Sequence, residues 1–270
     1  MTMSTPGEDM EGKLEIRRTH QREEIKPSKG AMATIVYDNN RYDRRLMSAW
    51  GYSSVVTVPE KTILFDTGGD GGILLDNMKK LGIGPSEIDV IVLSHIHGDH
   101  TGGLNEFLRY NSQVTVYLPS SFPTQIKQHI RSLGTEVKNV REPEELFEGV
   151  FTTGELDRGI EEQSLLVEAS EVFCIITGCA HPGIINITKR AKQIIGKEVY
   201  LAMGGFHLSG ALRSQISYMA ESLLRLGVQK VASCHCSRGE SRKLFKDYFG
   251  ENYIDSGVGK EIIVMSGDDR

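Results

Sequence analysis

The 270-residue chain has no long hydrophobic run and no excess of positive charge. No stretch approaches the roughly 18 apolar residues of a membrane span, so we expect no membrane-spanning helix. The 31 Lys and Arg residues against 36 Asp and Glu residues give a net charge of −5, and no basic cluster indicates nucleic-acid binding. The apolar fraction of 39% and the charged fraction of 25% are ordinary for a globular protein and argue against global disorder.

Cysteine is also scarce, with four residues at positions 174, 179, 234 and 236. Four cysteines in a chain of this length do not make a disulfide scaffold, so we expect reduced thiols and a cytoplasmic protein. Residues 1–12 are small, polar and acidic, which predicts a flexible tail rather than a secretory signal. Residues 13–270 contain no internal repeat and no low-complexity linker, so we expect a single domain there.

Segments typical of strands and helices alternate along the chain. Strands are predicted at residues 31–37, 52–58 and 62–65, with a hairpin turn at Pro59-Glu60 between the last two. Later strands are each followed by a helix, and this order favours a mixed sheet flanked by helices. The acidic stretch at residues 142–148 is interpreted as a surface segment.

Potential metal-binding side chains recur just beyond the C-terminal ends of the predicted strands. They are Asp66, a cluster at residues 95–100, Cys179 with His181, His207, and His235. In layered α/β folds the C-terminal ends of strands are where functional sites gather. His20 and His129 have no such partners in the sequence, and we expect them at the surface.

The segment SHIHGDHTGG, from Ser94 to Gly103, carries the strongest chemical signal. Four potential ligands occur within six residues, namely His95, His97, Asp99 and His100. Imidazole and carboxylate groups are ligands that Zn²⁺ and similar ions take. On a tight turn the first two can point to one side and the last two to the other, which suits two metal ions roughly 3.5–4 Å apart.

This segment, together with FDTG at residues 65–68, resembles the metallo-β-lactamase superfamily over residues 30–266. The resemblance implies a four-layer αβ/βα sandwich of two mixed β-sheets flanked by helices. It also implies two divalent metal ions at one edge, with Zn²⁺ favoured and Mn²⁺ or Fe²⁺ as alternatives.

Four later stretches are similar to one subfamily, the metal-dependent hydrolases of β-lactamase superfamily II. They are TGEL at residues 153–156, TGCAHPGI at 177–184, GGFHL at 204–208 and CHC at 234–236. Some archaeal members of this subfamily are named 7,8-dihydropterin-6-methyl-4-(β-D-ribofuranosyl)aminobenzene-5′-phosphate synthase.

The resemblance implies a role for each residue of the pattern. The first metal ion would be held by His95, His97 and His181, and the second by Asp99, His100 and His235. Many members have a bridging carboxylate where this chain has Gly178-Cys179, so the bridge is either missing or replaced by the Cys179 thiolate. Asp66 would orient the ligand loop, with a helix cap as the alternative role. His207 would be either an additional ligand or a proton donor.

The function that the resemblance implies is hydrolysis by a metal-activated hydroxide. The substrate would be a phosphodiester or another small ester, lactone or lactam, with Asp99 accepting a proton and His207 protonating the leaving group. One alternative is a synthase-type transferase acting on a pterin. Another is a non-catalytic metal-binding or redox module, although a redox role would favour a glutamate in place of His97.

The substrate is expected to be a small molecule, and phosphate is one group it could carry. Candidate phosphate contacts are Arg158, Arg213 and Lys260, each with a solvated surface charge as the alternative. Subfamily members commonly have TGEIPR near residue 153, whereas this chain has Leu156 and Asp157 in place of the Ile and Pro. A substrate contact inherited at that point is therefore in question, and the oligomeric state is not indicated.

Overall fold

The computed structural model describes residues 30–264 of the chain. The expected tail at residues 1–12, the start of the expected domain at 13–29, and His20 lie outside the described residues. None of the helices within residues 30–264 combines the length and the hydropathy that a membrane span needs. All four cysteines are buried and free.

The described residues contain thirteen strands and seven α-helices. The strands are β1 (Ala31–Asp38), β2 (Tyr52–Thr57), β3 (Thr62–Phe65), β4 (Val90–Val92), β5 (Thr115–Pro119), β6 (Glu136–Val140), β7 (Glu144–Phe147), β8 (Val150–Thr152), β9 (Leu165–Ala169), β10 (Val172–Thr177), β11 (Glu198–Gly205), β12 (Lys230–Cys234) and β13 (Glu261–Val264). The helices are α1 (Gly71–Lys80), α2 (Gly98–Thr101), α3 (Leu104–Tyr110), α4 (Thr124–Ser132), α5 (Ile184–Ile195), α6 (Arg213–Arg225) and α7 (Glu240–Phe249).

The strands of the described chain form two mixed sheets. The first runs in the order β13-β1-β2-β3-β4-β5-β6, and the second in the order β12-β11-β10-β9-β8-β7. In the first sheet, β3 to β6 are parallel, whereas β13 to β3 pair antiparallel. In the second, β10 to β12 are parallel and the remainder antiparallel. The predicted hairpin at Pro59-Glu60 joins β2 to β3, with Thr57 opposite Thr62.

Side chains along the central strands point alternately to the two faces of each sheet. They form three apolar layers, one between the sheets and one on the outer face of each sheet. In β3, Ile63 and Phe65 point into the core between the sheets, whereas Leu64 points to the outer side. In β10, Ile176 faces the core between the sheets and Ile175 faces outward. This two-residue period buries both faces of each sheet.

Helices cover the outer faces of both sheets. Leu74 of α1 and Phe107 of α3 pack on the first sheet. On the second sheet, Ile187 of α5, Leu223 of α6 and Phe245 of α7 form the corresponding layer. The order is helix, sheet, sheet, helix, and the predicted αβ/βα sandwich is therefore confirmed.

Sequence reasoning did not predict three short strands. The stretch at residues 142–148, interpreted as a surface segment, contains β7, and β6 and β8 were not predicted at all. β6 and β7 are the outermost strands of their sheets, where half of the residues or more face solvent. Backbone pairing, rather than an apolar pattern, holds such edge strands, so they leave a weak signal in the sequence.

Candidate metal centre

The conspicuous histidines and acids of the sequence meet at one edge of the sandwich. Asp66 follows β3 and the His95–His100 segment follows β4, both at C-terminal ends in the first sheet. His181, His207 and His235 follow β10, β11 and β12, whose C-terminal ends lie together in the second sheet. The edge therefore gathers side chains separated by up to about 170 residues in the chain.

Three imidazoles form the first trio, defined as His95, His97 and His181. Nε2 of His95 lies 3.1 Å from Nδ1 of His97. The ring centroid of His181 lies 4.8 Å from that of His95 and 5.0 Å from that of His97. Nε2 of His181 is buried and has no hydrogen-bond partner among the described residues. An unpartnered imidazole nitrogen facing two others is what a cation-binding site requires.

Two members of the first trio, His95 and His181, are held in their uncharged form. Burial lowers the pKa of His95 well below its ordinary value, and the neighbouring imidazoles lower it further. Burial, followed by the nearby His207 and His97, lowers the pKa of His181 to about 4. Because only the neutral imidazole has a lone pair free for coordination, both side chains are available as ligands at neutral pH.

The second trio consists of Asp99, His100 and His235. Oδ2 of Asp99 lies 3.4 Å from Nε2 of His235 and 3.7 Å from Nε2 of His100. The two Nε2 atoms are 3.3 Å apart. Burial raises the pKa of Asp99, but the hydrogen bond from His235 and the charge of His100 outweigh it, so that the pKa stays well below its usual range. The carboxylate is therefore charged at neutral pH.

Cys179 lies between the two trios. Its Sγ is 3.3 Å from Nε2 of His100. The sulfur lies within 4.8 Å of the donor atoms of His95 and His181 in one group, and of His100 and His235 in another. The side chain is 5% exposed. Thiolates can bridge two soft or borderline cations, so this position suits a shared ligand.

Asp66 holds His100 and the loop before it. Its Oδ2 lies 2.7 Å from Nδ1 of His100 and accepts a hydrogen bond from Oγ of Ser94, while its Oδ1 accepts the backbone N–H of Ser94 at 2.7 Å. Oγ of Ser94 also lies 2.9 Å from Nδ1 of His95. The helix cap considered as an alternative is instead supplied to α1 by Asp70. Asp66 thus occupies the place from which a ligand loop is oriented.

Two residues that the sequence analysis did not single out, Asn39 and Glu162, hold the loops that carry the histidines. Asn39 brackets His235, with Oδ1 3.0 Å from Nδ1 and Nδ2 donating to the backbone carbonyl at 3.0 Å. Glu162 is 1% exposed and accepts the backbone N–H groups of Cys179, Ala180 and His181 at 2.9, 2.9 and 2.7 Å. Because these partners lie 17 to 196 residues away in the chain, no local spacing could have revealed them.

Backbone strain is concentrated at this edge. Among the described non-glycine residues, five have positive φ, and four of them belong to the site loops: Asp66, Ala180, His207 and His235. Such conformations cost roughly 1–3 kcal/mol each and persist where surrounding contacts enforce them. Gly178 adds a steric requirement, because a Cβ there would collide with Oγ of Ser94.

A cavity of about 620 Å³ lies beside the first trio, with His207 in its lining. It is called the cationic cavity below. Its charged lining residues are Arg158 and Lys189, and no Asp or Glu is among the residues that line it. Tyr218 and Met219 give it an apolar wall. The His207 ring lies 4.5 Å from that of His181, so the cavity adjoins the first trio.

The structure separates the three candidate phosphate contacts. Arg158 lines the cationic cavity. Arg213 instead pairs with Glu240 at 2.9 Å on the exposed surface, and Lys260 donates to the hydroxyl of Tyr42. Neither of these two lines the cavity, so the solvated alternative describes them better.

Other residues fall outside or beside the centre. His129 is exposed and lies 3.0 Å from Oδ1 of Asn105, away from both trios. Trp50, which the sequence analysis did not single out, covers His235 with ring centroids 5.0 Å apart, and the Arg238 guanidinium lies 4.3 Å from its ring. This pair forms the solvent side of the second trio.

Comparisons with known proteins show which family the chain resembles. A family model described as the metallo-β-lactamase superfamily matches residues 51–180. The chain is 31% identical to the 7,8-dihydropterin-6-methyl-4-(β-D-ribofuranosyl)-aminobenzene-5′-phosphate synthase of Methanocaldococcus jannaschii, and the alignment covers 85% of this chain and 95% of that protein.

Solved structures show the same architecture. A metal-dependent hydrolase of the β-lactamase superfamily is 26% identical with a TM-score of 0.73, covering 87% of this chain and 100% of that one. The short form of human tRNase Z is 17% identical with a TM-score of 0.61, covering 86% and 98%. At that identity, the second likeness shows the fold alone.

Proposed function

The chain belongs to the metallo-β-lactamase superfamily, and we propose that it is a metal-dependent hydrolase of small phosphate esters, phosphodiesters foremost. The observation that carries this proposal is the pair of trios around Cys179 at the mouth of a cavity lined by cationic side chains. Other small esters, lactones and lactams are substrates of the same reaction class, but they offer less for Arg158 and Lys189 to bind.

The donor set fits two divalent ions, with Zn²⁺ favoured and Mn²⁺ or Fe²⁺ as alternatives. The first trio would hold one ion and the second trio the other, with Cys179 shared between them. The buried, unpartnered Nε2 of His181 supports this assignment, since a buried polar atom rarely lacks a partner. When bound, such a pair lowers the pKa of water towards about 7 and stabilises negative charge on the substrate.

Two side chains of the chain would handle the protons. Asp99 is 20% exposed, so its carboxylate can reach water while facing His100 and His235, and we assign it the acceptance of the nucleophile's proton at Oδ2. His207 lies between the cationic cavity and the first trio, where a leaving group would emerge. We assign its ring the donation of a proton to that group.

The cationic cavity would select and orient the substrate. Arg158 and Lys189 can bind a phosphate oxygen, and Tyr218 with Met219 can cover an apolar or planar part of the molecule. A bound substrate would also exclude water from His207. The expected substrate is therefore an anionic ester whose alcohol or acyl part is partly apolar.

A synthase-type transferase is the second candidate, favoured by the 31% identity to the M. jannaschii synthase over most of both chains. The same cavity would then bind the phosphate named in that relative's product, and the two trios would hold the ions whose charge favours departure of a pyrophosphate. The departure from the subfamily pattern at Leu156 and Asp157 weakens this second candidate. The backbone of Leu156 pairs with that of Glu162, and neither Leu156 nor Asp157 lines the cationic cavity.

A substrate panel tests the proposal. The metal-loaded protein is assayed with bis-p-nitrophenyl phosphate, a lactone, nitrocefin and the pterin pair, which is a pterin methyl pyrophosphate together with an aminobenzene co-substrate. The variants His97→Ala and, as an exposed control, His129→Ala are assayed in the same way. Phosphodiester hydrolysis lost in His97→Ala and kept in His129→Ala supports the hydrolase. Turnover of the pterin pair alone would replace it by the transferase, and bound metal without any turnover would favour a non-catalytic module.

A further inference from the structure

A third group of donor side chains adjoins the two trios. The donor atoms of Cys179, His207 and Cys236 lie within 4.8 Å of one another. Cys236 is 4% exposed and follows β12 directly beyond His235. Neither the hydrolase nor the transferase reaction uses its thiol, so its position beside the centre calls for a separate explanation.

The fold keeps room for this sulfur. At Gly205 an added Cβ would collide with the carbonyl oxygen of Gly178 and lie 2.7 Å from Sγ of Cys236, so a larger residue would also collide with the sulfur. The backbone N–H of His207 donates to Sγ of Cys236 at 3.2 Å, with His207 held at φ 51°. The loops after β11 and β12 thus converge on the thiol.

We propose that Cys179, His207 and Cys236 form a third, inhibitory position for a thiophilic ion such as Zn²⁺ in excess. Two thiolates and one imidazole make a three-ligand set with an open fourth position, which zinc readily takes. Cysteine sulfur selects soft and borderline ions over Mg²⁺ or Ca²⁺. The site therefore differs in chemistry from the nitrogen- and oxygen-rich trios.

Occupation of this position would remove two groups from the catalytic arrangement. His207 would turn its ring nitrogen to the ion and no longer serve a leaving group in the cationic cavity. Cys179 would be drawn away from the space between the trios. The inhibitory consequence rests on the proposed function, whereas binding of the ion does not.

Metal counting tests the third position. The full-length protein, kept reduced, is dialysed against rising free Zn²⁺ and its bound zinc is measured by elemental analysis. Cys236→Ala and His207→Ala are compared with Cys174→Ala, a buried thiol in the core, and with His129→Ala. We expect the wild type and both controls to bind one more ion per chain than the two test variants.

Two further readouts accompany the count. With Co²⁺ as the probe, sulfur-to-metal charge-transfer absorption should be weaker in Cys236→Ala than in Cys174→Ala. Excess Zn²⁺ should reduce turnover in the wild type by a larger factor than in Cys236→Ala. His207→Ala, whose side chain is exposed, keeps the count decisive if Cys236→Ala does not fold.

Failure of the third position and failure of the whole metal centre give different zinc counts. Equal zinc counts in the wild type, Cys236→Ala and His207→Ala would overturn the third position and leave the two trios intact. Absence of bound zinc from every protein, wild type included, would overturn the proposed metal centre as a whole.

Discussion

Oδ2 of Asp66 lies 2.7 Å from Nδ1 of His100, and both side chains are fully buried. This contact leaves Nε2 of His100 facing Cys179 and His235, each at 3.3 Å. A carboxylate behind a histidine sets which nitrogen carries the proton and how the ring is oriented. At His235 the amide oxygen Oδ1 of Asn39 takes the corresponding place beside Nδ1. The second trio is therefore supported by residues that follow β3 and β1 of the first sheet.

Replacing Asp66 by Asn should weaken metal binding at the second trio. The amide cannot supply the negative charge behind His100, and loss of such a support typically lowers metal affinity roughly 10- to 100-fold. Competition of the protein with a chromogenic chelator for Zn²⁺ measures the change. The surface variant Asp76→Asn is the control, and equal affinities for the two variants would contradict the role assigned to Asp66.

Replacing Asn39 by Ala should act on the same trio through His235. Without the acceptor at Oδ1, the ring can rotate and change tautomer, so we expect a roughly 10-fold or greater loss of Zn²⁺ affinity. Asn39→Asp retains an oxygen at that place and should recover most of the affinity. A loss of the same size in both variants would contradict the role assigned to Oδ1, because Asn39→Asp keeps that oxygen and the size of the side chain and loses only the Nδ2 donor.

Glu162→Gln should destabilise the loop that carries Cys179 and His181. The carboxylate accepts three backbone N–H groups, whereas a glutamine amide has a single oxygen to offer them. We expect the free energy of unfolding to fall by about 1–3 kcal/mol, measured by urea denaturation of the metal-free protein. Its exposed neighbour provides the matched variant Glu161→Gln, and equal stabilities would refute the loop-holding role.

Neutralising the cationic cavity should affect substrate binding more than turnover. For a phosphodiester substrate, Arg158→Gln and Lys189→Gln should each raise KM roughly 10-fold, the equivalent of one charge-assisted hydrogen bond of about 1.5 kcal/mol. Arg213→Gln, which removes an equal charge outside the cavity, should leave KM unchanged. An unchanged KM in both cavity variants would place the substrate elsewhere.

The four-layer sandwich was implied by the resemblance to the superfamily, whereas the strands and helices within it were predicted from local signals. Buried strands such as β4 and β10 are short apolar runs, and the residues after them mark where side chains converge. The HxHxDH segment needs only one turn to bring its side chains together, so its spacing was enough to indicate a metal site. The positions of His181, His207 and His235 followed from the rule that sites gather at strand ends.

What the sequence could not reveal depends on long-range packing. Asn39 and Glu162 act on loops far along the chain, and neither occurs in a chemical motif. The cationic cavity arises where the loop carrying Arg158 meets α5 and α6, a juxtaposition no spacing encodes. For Cys236 the sequence leaves packing, ligand and redox roles open, because a cysteine cannot be told from a packing residue until its neighbours in the fold are known.

Zinc titration of the metal-free protein, with hydrolysis of bis-p-nitrophenyl phosphate and bound zinc measured at each point, tests the central claim most directly. We predict that activity rises until about two ions are bound per chain and that His97→Ala reaches neither that stoichiometry nor that activity. A metal-free protein as active as the zinc-loaded one, or a protein with both ions bound and no hydrolysis, would contradict a metal-dependent phosphodiesterase.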